Sequence, residues 1–127
     1  MAAEELHRAK AEHNRRFLAS IRSDEFADWQ ATAAFYCALH LVEMLFARSD
    51  GHSLGHRDRN LRLKRHHPQL WRHYRPLYSF SLYARYETRP VSAAVVRTEL
   101  IDKRLRLLEH AISAEPTAPG KPTRRKR

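Results

Sequence analysis

Tyr36, His40 and Glu43 lie within FYCALHLVEM, at positions i, i+4 and i+7 of an otherwise apolar stretch. On a helix this spacing puts all three on one face. A single imidazole in such a place is ordinarily a core histidine bonded to a tyrosine or a backbone carbonyl. Here the carboxylate prolongs the polar line. His52, His56 and Arg59 also follow within 16 residues of Glu43, in and after a glycine-containing loop that can fold back over that line. A buried imidazole and carboxylate are tolerable when paired, and Arg59 or Arg85 can supply the pairing cation.

Several chemistries are compatible with these residue types. His40, Glu43, His52 and His56 are all of kinds that zinc accepts. However, His52 and His56 span Gly55 and need not form a helical turn, and the lone Cys37 adds no ligand pattern. The expectation is therefore no metal and no cofactor. The chain has no glycine-flanked serine resembling a nucleophile elbow, no phosphate-cradling glycine loop, and no pair of carboxylates at helical spacing in an apolar setting. Cys37 reads as a small core residue. Phosphodiester chemistry needs an imidazole to move a ribose proton and an arginine to hold phosphate charge, and both types are abundant.

These residues must be positioned by helices. The chain has 127 residues, enough for one domain, with only three glycines and with four of its six prolines at position 90 or later. No segment sustains period-two alternation. Spacings of three and four predict a helix over 3–22 with a stripe of Leu6, Ala9, His13, Phe17 and Ile21. Ser23 reads as the N-cap of a second helix over 24–48. Its main stripe is Phe26, Trp29, Ala33, Tyr36, His40 and Met44, and its second is Phe35, Leu39, Val42 and Phe46. A loop over 49–56 and a short helix over 57–65 follow. Pro68 then opens a helix carrying Leu70, Trp71, Tyr74, Leu77, Tyr78 and Leu82, with a kink or break expected at Pro76. The last helix is expected over 91–114, with Ile101, Leu105, Leu108 and Ile112 inward. This is an all-α chain, read as an up-and-down four-helix bundle with one short extra helix over residues 1–115. Residues 116–127 read as a disordered basic tail.

Net charge is +10, and residues 1–115 keep +5 of it. The excess favours a polyanionic partner, nucleic acid ahead of an acidic membrane. Lys121, Arg124, Arg125, Lys126 and Arg127 could add nonspecific phosphate contacts from the tail. The charged start MAAEELHRAK does not read as a signal peptide, and the longest uncharged run, residues 29–42, is short for a membrane span. A cytoplasmic location without membrane contact is expected.

AFYCALHLVEMLFA, GHSLGHRDR and YRPLYSFSLYARY, in that order, resemble the HEPN superfamily (higher eukaryotes and prokaryotes nucleotide-binding) over about residues 26–87. The matching positions are Phe35 through Ala47, His52, His56, Arg59, Tyr74, Ser81, Ala84, Arg85 and Tyr86. The resemblance implies a four- or five-helix bundle, usually a homodimer. It also implies either a metal-independent ribonuclease, often the toxin of a two-gene module, or a protein that binds nucleotides, RNA or a partner protein without catalysis. The RNA or nucleotide pocket would comprise His40, Glu43, His52, His56, Arg59, Tyr74, Arg85 and Tyr86. Active members carry Arg-x4–6-His. Arg8–His13, Arg59–His66, Arg62–His67 and Arg104–His110 all have that spacing, about the number that chance provides. Only Arg59–His66 has a polar residue after the arginine and follows the loop, so the resemblance makes Arg59 the phosphate-steadying residue and His66 the one acting on the 2′-hydroxyl. The expected function is RNA or nucleotide binding by a dimer. A ribonuclease and an antitoxin-like interaction module, with a partner encoded nearby, are the alternatives.

Overall fold

The computed structural model describes residues 3–49 and 51–115, and every regular element among them is helical. α1 is Ala3–Ser20 and α2 is Ala27–Ala47, joined through a 3₁₀ turn at Asp24–Phe26. α3 is His56–His66 and α4 is Pro68–Tyr86. The last helix, α5, changes pitch twice: Ala93–Val95 is α-helical, Val96–Leu105 is π-helical, and Arg106–Ala114 is α-helical again. The tail cations Lys121, Arg124, Arg125, Lys126 and Arg127 lie outside the described residues.

The caps account for several boundaries. The Ser23 hydroxyl accepts from the Glu25 N–H at 3.2 Å, so this serine caps the 3₁₀ turn that leads into α2. Pro68 occupies the first turn of α4, where its missing N–H costs no intrahelical bond. α4 continues through Pro76 without a break. The carbonyl deprived of a partner there belongs to Arg72, an exposed position where water can serve it. Gly55 precedes α3 with φ +130°, a backbone setting that L-residues with a Cβ rarely adopt.

α2 is the centre of the fold and packs against α1, α4 and α5. Its second stripe, Phe35, Leu39, Val42 and Phe46, is buried throughout. The stripe expected to dominate splits instead: Ala33 and Met44 are buried, whereas Phe26 and Trp29 are about half exposed. A third face carries Ala27, Ala31, Ala34 and Ala38, all nearly free of solvent, where small side chains admit a close neighbour. The helix over Asp24–Ala47 is long and apolar enough to cross a membrane by composition, but 78% of its most apolar window is buried inside the fold.

α1 lies antiparallel to α2. Near its start Glu4 pairs with Arg48 (2.8 Å), and at its end the Ile21 carbonyl accepts from Gln30 Nε2 (2.8 Å). Its inward face is not the expected one. Leu6, Ala9, His13 and Phe17 are exposed, while Ala11 and Leu18 are buried and His7 is partly buried. Leu6 and Phe17 face outward, whereas Leu18 and the small Ala11 take the inward positions, Ala11 suiting a close approach to α2.

In α5 the buried residues are Val96, Leu100, Leu105, Leu108 and Ile112, with Ile101 half-buried and Leu107 exposed. The five-residue step from Leu100 to Leu105 fits the wider π turn, whose bonds run i→i+5. Cys37 is enclosed in the core, and burial pushes its thiol up to about 12, which keeps it protonated and unreactive.

Candidate functional site

The polar line of α2 does meet the loop. Glu43 is 3% exposed and Arg59 7% exposed, and Arg59 Nε donates to Glu43 Oε2 at 2.7 Å. Glu43 also accepts from the Ser53 N–H at 3.2 Å and from the Ser53 hydroxyl. Burial alone would push this carboxyl up. The bonds from Ser53 and Arg59 outweigh it and hold Glu43 below the ordinary carboxylate range. Arg59 Nη1 lies 2.9 Å from His56 Nδ1, so the pair reaches on to the start of α3. Burial, then the cations Arg59 and Arg85, hold His56 below its usual pKa.

A chain of imidazoles flanks the carboxylate. His40 Nδ1 lies 3.0 Å from His7 Nδ1, and His7 Nε2 lies 3.0 Å from His52 Nδ1. His52 Nδ1 is in turn 3.8 Å from Glu43 Oε1. Burial is the main reason that His40 is lowered to about 4, with further lowering by His7 and Lys10. His40 is therefore neutral at physiological pH. His7 is held below its usual value by burial and by His52.

His7 was not among the residues singled out from the sequence. It lies on the face His7–Ala11–Leu18, at spacings of four and seven, which is the helical signal that would have found it. The Leu6–Phe17 stripe looked stronger because its side chains are larger.

The expected pocket residues divide by position. His40, Glu43, His52, His56 and Arg59 are joined by the contacts above. Tyr74 on α4 is fully buried, its ring 5.7 Å from that of Phe35, and its hydroxyl lies beside Arg59 without a well-formed hydrogen bond. Arg85 stands over three rings, 5.9 Å from Phe35, 5.6 Å from Tyr36 and 5.5 Å from Tyr86. Its Nε and one Nη are buried without a hydrogen-bond partner, so the aromatic faces are its main company. Tyr86 itself is mostly exposed. His66, near the end of α3, is exposed, whereas Arg59 on the same helix is buried against Glu43. Neither lines the cavity between α3 and α4.

That cavity measures about 550 Å³ and is lined by His56, Arg57, Asn60, Lys64, Trp71 and Tyr78, together with Leu61. Residues 56–86, which span both helices, carry eight arginines and lysines against a single carboxylate, Asp58. That carboxylate is already occupied by the Leu54 N–H at 2.8 Å and by Arg62 at 3.6 Å.

No family model matches the chain, and no curated protein or solved structure is significantly similar to it.

Proposed function

We propose that the protein is an HEPN-like helical bundle of up-and-down form that binds single-stranded RNA or a nucleotide without cleaving it. The α3–α4 cleft carries this reading. Trp71 and Tyr78, aromatic side chains of the kind on which bases stack, line it together with Arg57 and Lys64, whose charges suit phosphates. The whole α3–α4 segment is almost free of carboxylates, which keeps its field positive over the path of a strand. A cytoplasmic protein would meet such a strand directly. The reading against catalysis rests on Arg59: its guanidinium is buried in a pair with Glu43 and is not free to hold a scissile phosphate.

The test is binding of a fluorescent single-stranded RNA by the full chain across a salt series. Trp71→Ala should weaken binding by about 1–3 kcal/mol. Lys64→Ala should reduce the slope of log K against log salt by roughly 0.7. Equal affinity for all three proteins would refute the cleft. Removing residues 116–127 separates any contribution of the tail. Incubation with RNA in EDTA distinguishes the ribonuclease alternative, which requires cleavage that depends on both Arg59 and His66.

A second reading, an interaction module that pairs with its own copy or with a neighbouring gene's product, has one observation in its favour. Phe17, Phe26 and Trp29 are 47%, 48% and 53% exposed and line a common apolar groove near the α1–α2 turn. Light scattering of the native chain and of Trp29→Ser tests it. A dimer that dissociates in the variant supports this reading, and a native monomer removes the self-pairing form.

A further inference from the structure

His7, Glu43 and His52 come from α1, α2 and the loop after α2, and their ligand atoms all lie within 4.8 Å of one another. We propose that these three residues bind one divalent transition ion of the zinc class, leaving a coordination position open to solvent. The site is independent of the RNA-binding cleft.

The distances are close to what such an ion needs. Zinc–nitrogen bonds of about 2.0–2.1 Å place tetrahedral ligand atoms roughly 3.3 Å apart. His7 Nε2 and His52 Nδ1 are 3.0 Å apart, and His52 Nδ1 is 3.8 Å from Glu43 Oε1. Closing the widest separation takes a shift of roughly 1.5 Å. That widest separation is the one between His7 and Glu43, and the partly buried His7 side chain near the start of α1 supplies the shift, since Glu43 is held by Ser53 and Arg59.

The hydrogen bonds around the three residues orient them as an outer layer would. If the Nδ1–H of His7 donates to His40 Nδ1, the lone pair of His7 Nε2 faces His52 and Glu43. His40 then fixes the tautomer of His7, the usual task of a group behind a metal-bound imidazole. His52 needs only its other tautomer, with the proton on Nε2, to turn a second lone pair inward. Arg59 and the Ser53 hydroxyl occupy Oε2 of Glu43, while Oε1 accepts the Ser53 N–H at 3.2 Å and is also the oxygen turned to His52. The carboxylate is thus held through both oxygens, and the second lone pair of Oε1 is left for an ion. Two imidazoles and one carboxylate suit zinc, and cobalt(II) serves as its visible probe.

The experiment uses the full chain, stripped with a chelator and returned to metal-free buffer. It is titrated with zinc by calorimetry and with cobalt(II) by visible absorption. The expected result is one ion per chain, with tetrahedral cobalt bands. His7→Ala and His52→Ala should each weaken binding at least about tenfold. His13→Ala, at an exposed position of α1, should leave it unchanged. Circular dichroism of each variant establishes that it is folded. Sub-stoichiometric binding by the native chain overturns the site. So does a loss in only one of the two ligand variants, or an equal loss in His13→Ala.

Discussion

Glu43 and Arg59 face each other at 2.7 Å with both side chains almost excluded from water, and this contact fastens α3 and its preceding loop to the central helix. Sixteen residues separate the two in sequence. Removing one partner leaves the other charged and buried, which typically costs about 3–5 kcal/mol. Glu43→Leu should therefore be strongly destabilising, with its greatest effect on residues 51–59. Hydrogen exchange should show Ser53 and the first turn of α3 losing protection before α2 and α4 do. The double variant Glu43→Leu/Arg59→Leu should recover most of the stability, since neither charge is then stranded. If Glu43→Leu lowered thermal stability while proteolysis of the loop stayed at the native rate, the fastening role would be wrong.

His73 on α4 gives a pH dependence of known sign. Burial, followed by Arg104 and Lys103 of α5 and Arg72 of its own helix, holds its pKa below the ordinary histidine value, and Arg104 Nη1 lies 3.3 Å from its Nδ1. The unfolded chain accepts a proton near the ordinary value, and the folded chain resists it. Stability from this group is therefore complete above that value and declines as pH falls through it, levelling off below the folded pKa. Urea midpoints from pH 8 to pH 5 should fall with a slope that His73→Gln reduces. An unchanged slope in that variant would assign the effect to other groups.

The π-helical part of α5 determines which leucines carry the core. Leu105 is fully buried and Leu107 is 42% exposed. Leu105→Ala should cost about 2–5 kcal/mol and Leu107→Ala under about 0.5 kcal/mol. Equal losses in chemical denaturation would mean that α5 turns a different face inward.

Helices were legible in the sequence because their punctuation is local. Ser23, Pro68 and the glycines of the loop mark boundaries by chemistry that does not depend on the rest of the fold. The facing of α1 was not legible, because Ala11 gains its importance only from the alanine face of α2 against which a neighbour can approach. Apolar size therefore favoured Leu6 and Phe17, which the structure leaves in water. The same error hid His7. Within the site, the spacing of His40 and Glu43 and the nearness of Arg59 were readable from one segment. The choice of the α1 face that brings His7 to His40 depends on tertiary packing, whereas the pairing of Arg59 with Glu43 was one of the two that the sequence offered. The change of pitch in α5 was invisible for a related reason: a step of five between Leu100 and Leu105 reads equally well as two overlapping α-helical stripes.

Gly55 has open space where a side chain would stand, so the objection to one there is purely one of handedness. Its φ of +130° is the mirror image of an ordinary extended residue. A right-handed building block, D-alanine placed by chemical ligation, would sit there at ease and would stiffen the approach to His56 and Arg59, whereas L-alanine would twist that approach away. With Gly51 at φ +77° earlier in the same loop, the arrangement of loop and guanidinium thus hangs on two points of inverted handedness among the described residues.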